Sequence, residues 1–351
     1  MGRGTFLFAL TNLFTIQRWN NRPALIRFSE SDNAFNTFFL NAIYRLNLGV
    51  PLEPALRWRF SRELPKIVLS DISLQLKERI ERFSPSVWLD VVNKAVNDLK
   101  SLADDEFIEL FFDQNVSQEI YDRLADLYVS YLEAKENGKL FDYEQPLKEL
   151  REKVLRLTSE FENEYYDLAC YVWIPLLNLT SMIRWNRTHR NVRSSVSGHS
   201  FIVLTIAYVL AKLTHFDDIE EVILRATLHD FPEAFTGDVI TPTKKKVPGL
   251  DKLVSEVERE MVSEWIGGHP KTVILKKYID YFVEPFEGTA GLIVRTADHF
   301  ASLLECGLEL YSGNKLEIFR TSFFSFKRLI KDISPIDVSE WIDEIEALIL
   351  H

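Results

Sequence analysis

The chain has 351 residues, 46% of them hydrophobic, which is enough to build sizeable cores and excludes bulk disorder. Its 41 Lys and Arg against 52 Asp and Glu give a net charge of -11, which argues against a broad nucleic-acid or anionic-membrane footprint but leaves room for a local basic pocket holding one phosphate. The only two cysteines, Cys170 and Cys306, form no CxxC pattern, so free buried thiols in a reducing cytoplasm are expected.

The first apolar run, residues 6–14 after Arg3, faintly resembles a signal peptide, but no small-residue cleavage site follows it. The longest apolar runs, near 168–182 and 201–213, are too short to span a bilayer and are interrupted by polar residues. Apolar residues at three- and four-residue spacing predict helices over 201–213, 219–228, 253–265 and 292–310. Gly and Pro are sparse and fall between these runs, with loops expected near 137–146 and 241–251. No alternating strand pattern is long enough to suggest a sheet. The expectation is an all-α protein, and its length suggests two domains at roughly 100–200 residues each.

The sequence repeats itself. Arg18-Trp19-Asn20 recurs as Arg184-Trp185-Asn186, and Asn12-Leu13 precedes the first copy as Asn178-Leu179 precedes the second. Leu64-Pro65 matches Phe231-Pro232, and Ser70-Asp71 falls on Gly237-Asp238. Arg123, Ala125, Asp126 and Glu133 match Arg295, Ala297, Asp298 and Glu305. The common order of these matches points to a tandem duplication, with residues 1–150 as one domain and 151–351 as the other. The apolar N-terminus is then the first helix of the first copy.

The copies differ in chemistry. All 7 histidines lie at or after His189. In the alignment His199 faces Asn33, His229 faces Arg62, Asp230 faces Glu63, and Asp298 keeps Asp126. A histidine-ligated cation has no place in the first copy, where Arg62 would repel it. In the second copy His199, the His229-Asp230 pair and Asp298 offer two imidazoles and two carboxylates. That donor set suits one divalent ion of the Mn, Co, Fe, Zn or Mg kind. It also leaves positions open for water and substrate, as a catalytic metal requires. Glu233 and Asp238 are candidates for proton transfer, the alternative being a helix cap or a solvated carboxylate. A continuing helix would put Glu233 on the face of His229, although Pro232 interrupts that turn. Arg184 and Lys244 are the candidate phosphate contacts among several nearby basic residues. Trp185 either walls a sugar pocket or packs in the core, as the retained Trp19 suggests.

Arg184-Trp185, Arg190-Asn191-Val192-Arg193, Val196-Ser197-Gly198-His199-Ser200, His229-Asp230 through Asp238, and Thr241-Pro242-Thr243-Lys244 together resemble the HD-domain superfamily. Within it they are similar to the bacterial HD-domain 5'-deoxynucleotidases, over roughly residues 175–310. The resemblance implies an all-helical HD fold and one divalent ion held at His199, His229, Asp230 and Asp298. It also implies proton transfer at Glu233 and Asp238, phosphate binding at Arg184 and a sugar-facing wall at Trp185. The implied reaction is hydrolysis of nucleoside 5'-monophosphates. Departures surround the pocket rather than the ligands: Gly198 stands where an acid is usual, Asn186 replaces a proline, and Phe231-Pro232 replaces smaller residues. Such enzymes are typically homodimers, so the metal-less copy would take the partner's place as an internal pseudo-dimer, with further self-association open. Other readings at this stage are an HD phosphodiesterase, a nucleoside triphosphate or guanosine pyrophosphate hydrolase, or a nucleotide-binding regulator without turnover. None involves nucleic acid or a membrane.

Overall fold

Side-chain caps set where several of the helices begin in the computed structural model, which describes residues 2–70, 72, 74–112, 119–237 and 247–350. The helices used below are α1 (Arg3–Ala9), α2 (Glu30–Leu48), α3 (Glu53–Glu63), α4 (Ile120–Asn137), α5 (Glu144–Leu155), α6 (Glu164–Ser181), α7 (Val196–Leu213), α8 (Ile219–Leu228), α9 (Leu250–Gly267), α10 (Gly288–Tyr311), α11 (Glu317–Ile333) and α12 (Ser339–Leu350). Ser29 opens α2 by accepting from the Asp32 amide, while the Asp32 carboxylate accepts from the Ser29 amide, a reciprocal capping box. Ser195 caps α7 through the Gly198 amide, Asn163 caps α6, and Asp218 caps α8. Gly49, at φ 67, closes α2 in the left-handed conformation that lacks a steric penalty only for glycine.

The fold is all-α. Among the described residues the extended contacts outside helices are two isolated bridges, Gln17–Ser29 and Ile183–Ser195, each end shifted by 166 positions. Trp19 and Trp185 both take φ 58, an uncommon left-handed value for a bulky side chain. Around them the Arg18 amide bonds the Phe28 carbonyl as the Arg184 amide bonds that of Ser194. Likewise the Glu30 amide bonds the Ile16 carbonyl as that of Val196 bonds Met182.

At the centre, α7 is buried at every residue from Val196 to Ala211. It begins earlier than apolar periodicity suggests because the Ser195 cap fixes its first turn. At 18 residues it is long and apolar enough to cross a bilayer by length and composition, yet it is wrapped by α2, α6, α8 and α10. Helix α7 packs on α2 and α8 on α3, while α6 lies against α4 and α1 against α10. One hydrophobic core therefore runs from Phe6 to Ile345 across both halves.

That packing explains Gly198. A Cβ there would stand 2.7 Å from Ser31 Oγ and 3.2 Å from Ser195 Oγ. Asp32, buried on α2, already accepts from the Ser195 hydroxyl at this spot. A second carboxylate at 198 would be buried against the first, which already draws on Arg193.

Candidate metal centre

Three helices aim polar side chains at one point beside α7. His199 lies in the first turn of α7, just beyond the Ser195 cap. His229 and Asp230 follow the end of α8, where the helix stops rather than continuing. Pro232 has no amide to donate, and the chain turns through residues 229–232 into a new short helix, Glu233–Thr236. Glu233 is delivered by that turn, its amide donating to the Asp230 carbonyl at 3.1 Å, not by a continued helical face. Asp298 comes from the middle of α10.

His229 Nδ1 lies 2.8 Å from the Ala226 carbonyl and can only donate to it, so the ring's other nitrogen carries a lone pair. That Nε2 is buried, has no hydrogen-bond partner, and stands 3.1 Å from Asp230 Oδ2, which is likewise buried without a partner. With the ring neutral, that lone pair facing a carboxylate is repulsive unless a proton or a metal cation lies between them. His199 Nε2 is 3.9 Å from the same Asp230 oxygen and 3.0 Å from Asp298 Oδ1. The ligand atoms of His199, His229 and Asp230 lie within 4.8 Å of one another, a cluster able to hold a metal ion. The histidines are buried, whereas the side chains of Asp230 and Asp298 are 16% and 23% exposed, so the cluster opens on its carboxylate side.

The electrostatics agree. Arg184 feels four carboxylates, Glu305, Asp230, Asp298 and Glu233, which hold its guanidinium above the ordinary value despite burial. Around this guanidinium the carboxylates outnumber the permanent cations, so negative charge is in surplus. Burial and Arg184 push His199 down, but Glu305 and Asp298 outweigh them and raise it to about 8. Asp230 is held below the carboxylate range: burial opposes this, and His229, His199 and Arg184 override it. A divalent cation fits this donor set and this charge.

The structure brings Arg184 to the same point, its Nη1 3.8 Å from Asp230 Oδ2. Trp185 donates its indole N–H to Glu305 at 2.9 Å and lays its ring against Phe319 and Phe326 of α11. Arg190, by contrast, is spent on Glu309 and the Ser194 hydroxyl. Asp238 and Lys244 lie outside the described residues.

One contributor escaped the sequence reading. Glu305, fully buried, accepts from Arg184 Nε at 3.3 Å, Trp185 Nε1 at 2.9 Å and Ser194 Oγ at 2.9 Å. It also stands 3.3 Å from His199 Nδ1, behind the ring that faces Asp298. Such a carboxylate orients a metal-binding imidazole. Two signals marked it: it recurs as Glu133, and it lies seven residues after Asp298, on the same face of one helix.

Residues 173–347 match the family described as 5'-deoxynucleotidase YfbR-like. Through its C-terminal half, the chain belongs to this family. Among curated relatives of the YfbR-like family, the 5'-deoxynucleotidase YfbR of Escherichia coli is 30% identical over 138 residues, covering 36% of this chain and 66% of the relative. A 5'-deoxynucleotidase of Pasteurella multocida is 25% identical over 140 residues, covering 38% of this chain and 70% of the relative. The chain thus spans about two thirds of the length of the curated relatives it matches. Among solved structures, an HD-domain phosphohydrolase from Listeria innocua is similar at 22% identity and a TM-score of 0.41, over 51% of this chain and 85% of that one.

Proposed function

We propose that the chain is a metal-dependent phosphohydrolase that converts nucleoside 5'-monophosphates, deoxynucleotides foremost, to nucleoside and phosphate. The observation carrying this reading is the convergence of the unpartnered His229 Nε2 and Asp230 Oδ2 with His199 and Asp298, beside a guanidinium, in a family whose named members are 5'-deoxynucleotidases. His199, His229, Asp230 and Asp298 would hold one ion of the Mn, Co, Fe, Zn or Mg kind. When bound, that ion supplies Lewis acidity at a phosphoryl oxygen and a low-pKa water.

The chain's own residues do the rest. Arg184, anchored by Glu305 and Ser302, meets the phosphate and balances charge that develops on its oxygens. Glu233, on the turn after Asp230, handles the proton of the attacking water, with Asp238 as the partner acid for the leaving oxygen. Trp185, fixed by Glu305 and the α11 rings, forms a rigid wall against the sugar. Lys244 adds a second cation to the phosphate.

In this reading residues 1–150 are a metal-less copy of residues 151–351, and the two pack as an internal pseudo-dimer. Supporting this are the paired bridges, the paired Trp19 and Trp185 conformations, and the self-pairing of α2 with α7 and α3 with α8. Cation balance separates the copies. In the first, Arg18, Arg59, Arg62 and Lys66 stand among Glu30, Glu63, Asp126 and Glu133, four against four. No deficit remains there for a metal to fill. A cytoplasmic location accords with the free thiols of Cys170 and Cys306.

The test is phosphate release from ribo- and deoxyribonucleoside 5'-monophosphates by metal-stripped protein resupplied with Mn, Co, Zn or Mg, beside Asp230→Ala. Metal-dependent release, greater for deoxynucleotides and absent in the variant, is expected. Folded, metal-loaded protein that releases nothing would reject the reading.

A further inference from the structure

The N-terminal half holds a cavity of about 440 Å³, within the range of roughly 300–1,000 Å³ of small-molecule sites. Eight of its lining side chains are Lys or Arg and four are Asp or Glu, in a chain whose net charge is -11. Its floor carries the Arg18-Trp19 pair. Arg18 Nε donates to Glu133 at 2.8 Å and its Nη2 to Ser130 at 3.0 Å, while the Trp19 indole donates to Glu133 at 3.0 Å. Arg184 and Trp185 make the same three bonds to Glu305 and Ser302.

What changes is the chemistry opposite this pair. Lys66 stands one position after Pro65, as Glu233 stands after Pro232, and its ammonium bonds Glu30 and Glu63 at 2.7 Å each. Arg62 stands where the other half has His229 and bonds Asp126 at 3.1 Å. Ammonium and guanidinium thus replace the ion and the acid. These inner cations are balanced, so the surplus charge belongs to the rim, where Arg123 and Arg156 are exposed.

We propose that this cavity is a second, metal-free binding site for a small phosphomonoester, which it holds without hydrolysing. The rim arginines meet the phosphate oxygens through bidentate forks, and Arg18, whose nitrogens already bond Glu133, Glu30 and Ser130, adds its charge from the floor. With Lys66 in the place of Glu233 and Arg62 in the place of His229, the cavity lacks both the counterpart of that acid and a histidine ligand, so the ligand stays intact. The proposal rests on the phosphate role given to Arg184, because Arg18 is assigned by its matching geometry.

The experiment is calorimetric titration of the full chain in excess EDTA with deoxyadenosine 5'-monophosphate, inorganic phosphate and deoxyadenosine. Chelation prevents turnover and leaves the other centre with its carboxylate surplus. One saturable site for both anions is expected, weakening with added salt, with no binding of deoxyadenosine. Arg123→Glu with Arg156→Glu should weaken binding at least about tenfold, roughly 1.4 kcal/mol, while Arg184→Ala retains it. Arg123→Gln with Arg156→Gln, the milder pair, should move it the same way. Tighter binding of the nucleotide than of phosphate would add a ring contact near Trp19, and equal binding a site that reads phosphate alone; both uphold the claim. No saturable binding at millimolar anion would overturn it, as would binding lost in Arg184→Ala but kept in the rim variants. Turnover by metal-loaded wild type is read separately, so this site and the proposed activity can fail independently.

Discussion

Replacing Glu305 by Gln removes one charge from behind the His199–His229–Asp230 cluster and almost no volume. The carboxylate is fully buried and serves Arg184, Trp185, Ser194 and the rear of His199 together. Removing one partner of a buried ion pair costs about 3–5 kcal/mol when nothing replaces it. Here Gln keeps one oxygen, and Arg184 retains Asp230 at 3.8 Å, so a loss of about 1–3 kcal/mol is expected by that scale. The larger effect is on the ion. Outer carboxylates behind metal-binding histidines are worth about 10–100-fold in affinity, or roughly 1.4–2.8 kcal/mol. Titration of metal-stripped protein with Mn should therefore give a Kd at least about tenfold weaker for Glu305→Gln. Glu309→Gln is the control. Glu309 is also buried and holds Arg190 and the amides of Asn191 and Val192, so its loss should lower Tm but leave the ion's Kd within about threefold. A folded Glu305→Gln protein with wild-type metal affinity would refute the role given to this carboxylate.

Other consequences are equally open to measurement. Gly198→Ala gains up to about 1 kcal/mol of helix propensity but crowds Ser31 Oγ at 2.7 Å, so a net loss of about 0–2 kcal/mol is expected. Gly198→Glu should cost more than about 3 kcal/mol through a second buried carboxylate beside Asp32, partly recovered with Asp32→Asn; wild-type melting of Gly198→Glu would show that the halves do not meet there. Burial raises the Glu63 carboxyl, but Lys66 and Arg59 override it and lower it to about 2. Its folded value lies below its unfolded one, so its contribution is whole above the ordinary carboxylate value of 4.5 and is lost as pH falls toward 2. The difference is at most about 3 kcal/mol. Urea midpoints against pH should be flatter over that window in Glu63→Gln, and superimposable curves would contradict the pairing.

Periodicity located α8 to the residue and the interiors of α7, α9 and α10, because each buries one apolar face or more against neighbours. Their ends were less legible, since caps such as Ser195 act through a single hydroxyl. That His199, His229 and Asp230 would meet, with Asp298 against His199, could be anticipated because imidazoles and carboxylates are scarce in apolar helices. How Glu233 arrives could not, because whether a proline bends or stops a helix depends on what packs beyond it. Gly198 read as a gap in a motif; its reason, Asp32 and Ser31 from α2, lies 166–167 residues away in sequence. The basic cavity stayed hidden for the same reason, as its cations come from four separate segments whose meeting is a property of the fold.

The most direct test of a single hydrolytic centre is a titration of activity against metal. Stripped full-length protein at a concentration far above its Kd for Mn is given increasing metal equivalents, and phosphate release from a deoxynucleoside 5'-monophosphate is followed. A linear rise to a sharp plateau at one ion per chain, abolished by Asp230→Ala, is the predicted result. A plateau at two ions, or release that proceeds without metal or survives in Asp230→Ala, would contradict the account.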